Sequence, residues 1–260
     1  MGHSRLGDLP QTYEWLNIIS LIAGDADATA VAQATIQAAS EGLDIVAKDG
    51  GLRSSFKTLA DITIAAREDN FAMALGDVGV RVAGDPSLYD LIDGFTAAVD
   101  GALYERGGRT DITEMAQMSA VESLTALCGA GAASLYGTTP AEVKLAVREL
   151  STENGFARLS HDFFSRVLTR FVNYHLSREL SAHVGPGRRF ANVDAHAAFV
   201  RQLGVTCEES TLIVKRFAGQ WYGKTRHETG ITNEKARDFV HGAMKKLRSE
   251  LDRRGGTHVA

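Results

Sequence analysis

The segment AGQWYGKT, Ala218 to Thr225, sets an alanine four residues ahead of Gly-Lys-Thr, the spacing of a loosened phosphate-binding loop. Such a loop needs a strand to deliver it, glycines that let backbone amides wrap the phosphates, and a helix N-terminus facing them. Here the preceding TLIVKRF has helical rather than strand flanks, and Trp221 and Tyr222 would hold the backbone away from a phosphate. No apolar strand ending in an aspartate is available to hold magnesium. The expectation is therefore no nucleotide site, and a helix end running into an exposed loop.

Histidines are the next candidates for chemistry. His161, His175 and His183 fall on one amphipathic stretch, where they suggest a metal or proton-transfer site. Their separations of 14 and 8 positions put them roughly 12–21 Å apart along a helix axis, too far to share one ion. RHETG holds His227 and Glu228 but lacks the second histidine of a helical zinc protease. There is no Gly-x-Ser-x-Gly elbow, neither Cys128 nor Cys207 sits in a nucleophile signature, and Asp90 and Asp93 read as surface carboxylates on a helix. Neither a catalytic constellation nor a cofactor or metal site is expected.

Basic residues beside aromatics make the stronger pattern. VGPGRRF places Arg188 and Arg189 beside two glycines, where guanidinium groups and backbone amides could meet a phosphate together. Lys215 and Arg216 follow in IVKRF, Lys224 and Arg226 flank Trp221 and Tyr222, and MKKLRSELDRR contributes Lys245, Lys246 and Arg248. Cations interleaved with rings suit a nucleic-acid backbone with bases stacked on the rings. The bland alternative is a set of solvated helix faces with Trp221 as a core anchor.

The charge distribution sharpens this pattern. Residues 1–150 carry 10 Lys and Arg against 21 Asp and Glu, a balance of −11; residues 151–260 carry 18 against 11, a balance of +7. The basic part could face nucleic acid or another anionic partner, or the two parts could attract each other across an internal interface. Two cysteines build neither a disulfide framework nor a cysteine zinc site, which fits a reducing compartment. The N-terminus lacks a secretory signal, and no apolar run approaches the ~18–20 residues of a membrane helix. The expectation is a cytoplasmic protein with no membrane partner.

The elements that must position these groups are helical almost throughout, so the fold expected is all-α, a multi-helix bundle of about 8–10 helices. Helix signals open at DLPQTYEW, at the Asp-capped DADATAVAQ, at DPSLYDLID with Asp85 as cap and Pro86 as first residue, and at TPAEVKLAV. GGLRSSFKTLADITIAARED reads as a helix and NFAMALGDVGVRVAG as irregular or helical, although Ile62, Ile64 and VGVRV would also suit short strands. From Asn154 runs a long amphipathic helix ended by Gly185 and Pro186, with Phe156, Phe163, Val167, Phe171 and Tyr174 on one face and Asp162, Arg166, Arg170, Asn173 and Ser177 on the other. NVDAHAAFVRQLG, CEESTLIVKRFAGQWYG and TNEKARDFVHGAMKKLRSEL read as three more segments. The change of charge near Glu153-Asn154-Gly155 marks a candidate boundary between an acidic Ala/Gly-rich region, 1–153, and a basic region, 154–260.

These observations favour a non-enzymatic binding subunit of a larger prokaryotic assembly whose basic part contacts nucleic acid or an acidic protein surface. Two other readings stand beside it: a self-associating scaffold using the Ala- and Gly-rich helices, and a hydrolase-type enzyme using His161 or His175 with nearby carboxylates or arginines.

Overall fold

A computed structural model describes residues 13–38, 43, 46–104, 108–129, 139–228 and 230–256. The chain is all-α, and among the described residues there is no strand; Val184 and Phe190 form an isolated bridge. In chain order the helices are α1 (Tyr13–Ala23), α2 (Ala28–Ala38), α3 (Gly50–Ala65), α4 (Phe71–Asp77), α5 (Leu88–Tyr104), α6 (Asp111–Gly129), α7 (Pro140–Leu150), α8 (Glu153–Ala182), α9 (Val193–Glu228) and α10 (Asn233–Gly256).

Side-chain caps set many of the starts. Asp27 accepts from the Ala30 amide at 2.7 Å ahead of α2, and Asp49 accepts from the Leu52 amide at 2.8 Å ahead of α3. Thr139 and Glu142 form a reciprocal capping box at α7, with Pro140 as the first residue. The start of α5 differs from the Asp85 cap expected from DPSLYD. Ser87 caps it instead: its Oγ accepts from the Asp90 amide at 3.3 Å, and the Asp90 carboxylate accepts back from the Ser87 amide at 2.9 Å. Two orphan donors are satisfied at once, which a cap at Asp85 would not achieve. The Ser87 hydroxyl, donating to that carboxylate at 2.6 Å, and then the Ser87 amide pull the Asp90 carboxyl below its ordinary pKa.

Ile62 and Ile64 lie within α3, so the strand alternative for them gives way to a helix whose face from Leu52 to Ala65 is mostly buried. VGVRV follows α4 as an irregular segment: Gly79 takes φ +85° and turns Val80 into the core.

The architecture centres on the antiparallel pair α8 and α9, which pack along much of their 30 and 36 residues. Helix α3 lies against α5, α6 and α10, α6 against α8, and α2 against α9 and α10. One aromatic cluster ties these layers together. Phe56 of α3 stacks on Phe239 of α10 at 4.6 Å, Phe239 lies 4.4 Å from Trp221 of α9, and Tyr222 stacks on Phe156 of α8 at 4.0 Å.

The length of α9 is a departure from the sequence expectation, which broke this region at Gly204 and ended a helix at AGQWYG. The helix instead runs from Val193 through Glu228 without a break. Its glycines serve packing rather than termination. A Cβ on Gly219 would stand 2.5 Å from the Glu153 carbonyl oxygen, and one on Gly223 would stand 2.3 Å from a Glu153 carboxylate oxygen. Those two positions admit the first turn of α8 directly against the α9 backbone. The phosphate-loop spacing in AGQWYGKT is thus the footprint of a helix crossing, and the segment forms no loop.

Candidate basic groove between α8 and α9

Cations become useful to a partner only where folding leaves them unpaired and gathered. Several of the basic residues singled out above are already engaged inside the protein. Arg189 donates to the carbonyls of Leu21 at 3.1 Å, Ile22 at 2.7 Å and Ala26, capping the C-terminal end of α1, and its guanidinium lies 4.5 Å over the Phe199 ring. Burial lowers its pKa from the usual arginine value, while Asp25 and Asp27 oppose that shift. Arg188 donates to the Ala182 carbonyl at the end of α8. Several amides of the VGPGRRF turn bond internally: Gly185 N–H to the Phe190 carbonyl at 2.8 Å, Arg188 N–H to the Gly185 carbonyl at 3.1 Å, and Phe190 N–H to the His183 carbonyl at 3.0 Å. This turn braces α1 against the loop before α9.

Arg226 is half-buried, donates to the Ser151 carbonyl at 3.1 Å and lies 5.7 Å over the Tyr222 ring. Lys224 is exposed and sits 3.9 Å from Glu228. Tyr222 is fully buried, and Trp221 is half-buried against Phe56, Phe156 and Phe239. Neither ring presents an open face on which a base could stack. Arg248 is half-buried on α10, while Lys245 and Lys246 are exposed there, Lys246 with its ammonium 5.5 Å over Phe217.

Lys215 and Arg216 behave differently. Together with Arg158 of α8 they line an open groove of about 600 Å³ along the α8–α9 seam. All three are exposed, and among the described residues none of them has a carboxylate partner. The remaining lining residues are Asn154, Ala157 and Leu212, so the groove contains no acidic group. Its floor is apolar: Ala157 is buried, and Leu212 is 39% exposed, a large share for a leucine.

The local sequence explains this placement. On α9 the core side is set by Thr211, Val214, Ala218 and Tyr222, which puts Lys215 on the flank toward α8 and Arg216 outward. On α8 the core residues Phe156 and Leu159 put Arg158 at the rim. Arg158 and Leu212 were not singled out from the sequence. Their only signal is the antiparallel register of α8 on α9, which the chain order alone does not supply.

The histidines separate. His175 packs among the rings of Trp15 at 5.3 Å, Phe171 at 4.9 Å and Tyr174 at 5.2 Å, and burial lowers its pKa to about 4. Its Nε2 is buried and has no hydrogen-bond partner among the described residues. His161 instead opens onto a polar concavity further along the same seam, and its Nε2 donates to the Glu208 carbonyl at 2.9 Å. His183 forms the C-cap of α8. Cys128 and Cys207 are buried as free thiols, each pushed up to about 12 by burial.

Among the described residues no helix is long and apolar enough to cross a membrane, and no set of three ligating side chains converges on a metal ion. Compared with protein-family models, curated proteins and solved structures, the chain finds no match.

Proposed function

We propose that this protein is a non-enzymatic helical binding subunit of a larger assembly, and that the α8–α9 groove receives an acidic, partly apolar segment of a protein partner. The observation that carries this reading is the convergence of Arg158, Lys215 and Arg216 on one groove with no carboxylate in its lining. Unpaired like charges at a concave surface attract an opposite charge and speed its approach.

Two features favour an acidic protein segment over nucleic acid. The floor of Ala157 and Leu212 is suited to an aliphatic side chain, and the rings that would have stacked bases are packed in the core. An extended peptide alternating acidic and aliphatic residues satisfies the rim and the floor together.

Fluorescence anisotropy with a labelled peptide of alternating Glu and Leu, a labelled poly-Glu peptide and labelled single- and double-stranded oligonucleotides tests the proposal. The Glu/Leu peptide should bind best, and the combined Arg158→Glu, Lys215→Glu and Arg216→Glu variant should lose it. Tighter binding of an oligonucleotide, or a variant that binds as the parent does, would sink the reading.

A further inference from the structure

Beyond the basic groove the α8–α9 seam opens again into a polar concavity of about 420 Å³, closed on its far side by α6. Its charges are held very unequally. Arg166 is held by two carboxylates: its Nε and Nη2 donate to Asp162 at 2.6 and 3.3 Å, and its Nη1 donates to Glu122 of α6 at 2.9 Å. These bonds raise its pKa above the ordinary arginine value, the Asp162 bond most of all.

Arg170, one turn further along α8, donates from Nη2 to the other Glu122 oxygen at 2.5 Å. Its Nε–H is buried and has no acceptor among the described residues. A guanidinium offers five donors in a fixed fork, and a buried donor left unmade is costly. At the opposite wall the exposed Glu208 gives its backbone carbonyl to His161, while its carboxylate has no cation beside it among the described residues. Ser165 and Thr169 stack between the two along α8 at a spacing of four, adding hydroxyls to the wall.

The cavity therefore holds open capacity of both signs: donors on Arg170 and a carboxylate on Glu208. A bare anion would meet Glu122, Asp162 and Glu208, and a bare cation would meet the two guanidinium groups. Metal coordination finds no set of three converging ligands among the described residues. A molecule carrying one charge of each sign has none of these conflicts, and the volume lies in the lower part of the ~300–1,000 Å³ range of small-molecule pockets.

We propose that this concavity is a binding site for a small zwitterion of the α-amino-acid type, its carboxylate held by Arg170 and its ammonium by Glu208. The carboxylate pairs with the Nη1 edge of Arg170, which makes no bond among the described residues on a side chain that keeps 22% exposure, as a charge-assisted bond. The ammonium pairs with the one carboxylate of the cavity that no protein cation engages. The site is separate from the basic groove, and its fate does not depend on the groove's.

The test is calorimetric titration of the full chain with the twenty free α-amino acids, followed by the amidated and the N-acetylated form of any that binds. Saturable binding of a free amino acid, lost on amidation and on acetylation alike, is the expected result. Glu208→Gln should weaken it by about 10- to 100-fold, the loss of one charge-assisted contact, while leaving the melting temperature unchanged because Glu208 anchors no ion pair. Arg170→Gln should abolish binding, with some loss of stability from its Glu122 bond. No binding by any free amino acid, equal binding of the amidated form, saturation by acetate or phosphate alone, or an undiminished Glu208→Gln variant would each overturn the proposal.

Discussion

The hydroxyl of Tyr222 lies 2.8 Å from the hydroxyl of Thr63, across 159 positions of sequence, and both side chains are fully buried. Thr63 spends its own hydrogen on the Ala60 carbonyl at 2.7 Å, so Tyr222 must be the donor in the pair. Helices α3 and α9 are joined by this directional bond as well as by their aromatic contacts, and α9 carries half of the basic groove.

The direction of that bond makes the two obvious substitutions unequal. Tyr222→Phe leaves Thr63 still bonded to Ala60 and should cost about 1 kcal/mol in urea unfolding. Thr63→Val strands a tyrosine O–H in the core and should cost more, about 1–3 kcal/mol for an unsatisfied buried donor. A milder effect for Thr63→Val than for Tyr222→Phe would contradict the assignment.

Three glycines in long helices should respond to alanine in graded fashion. At Gly219 the new methyl meets the Glu153 backbone oxygen, which cannot move without shifting α8, so Gly219→Ala should cost about 1–3 kcal/mol. At Gly223 the obstacle is the end of the Glu153 side chain, which can swing away, and the cost should be smaller. Gly242 in α10 faces open space, so Gly242→Ala should stabilise by about 0.5–1 kcal/mol through helix propensity alone. Chemical denaturation midpoints give the ranking directly.

Those glycines also show where the sequence is legible and where it is not. Caps such as Thr139 with Glu142, and stripes such as Val240, Ala243, Leu247 and Leu251, announce helices because their causes are local. Gly219 and Gly223 announce helix ends only if glycine means termination, and here they mean close approach by Glu153, up to 70 positions away. The cations show the same limit. Lys215 and Arg189 look alike in the sequence, yet one faces a groove and the other caps α1, and only the packing of the turn against α1 separates them.

Arg189 should accordingly be a stability residue. Arg189→Ala removes donors from two carbonyls at the end of α1 and one in the turn after it, with the cover over Phe199, and should lower stability by about 2–3 kcal/mol. Arg189→Lys should recover little of it, because an ammonium cannot span the three acceptors as the planar fork does. Peptide binding in the groove should be unchanged in both variants at temperatures where they stay folded.

Acidification should act through His175. Its folded pKa of about 4 lies below the ordinary value of 6.5, so between those values the unfolded chain binds a proton that the folded chain refuses. Stability is complete above pH about 6.5 and falls as the pH drops toward about 4, by ~1–2 kcal/mol for a ring that still touches solvent. His175→Leu should flatten this part of the pH profile relative to the parent. Identical slopes for the two proteins would contradict the burial argument.

The groove of Arg158, Lys215 and Arg216 is the docking surface on which the proposed function depends. The most direct measurement is the affinity of the labelled Glu/Leu peptide for the parent, for the triple groove reversal and for Lys224→Glu, at about 50 and about 200 mM salt. Binding should weaken with salt, drop more than about tenfold on groove reversal, and be unmoved by Lys224→Glu. Equal affinity across all three proteins, or an equal loss from Lys224→Glu alone, would contradict the proposed function.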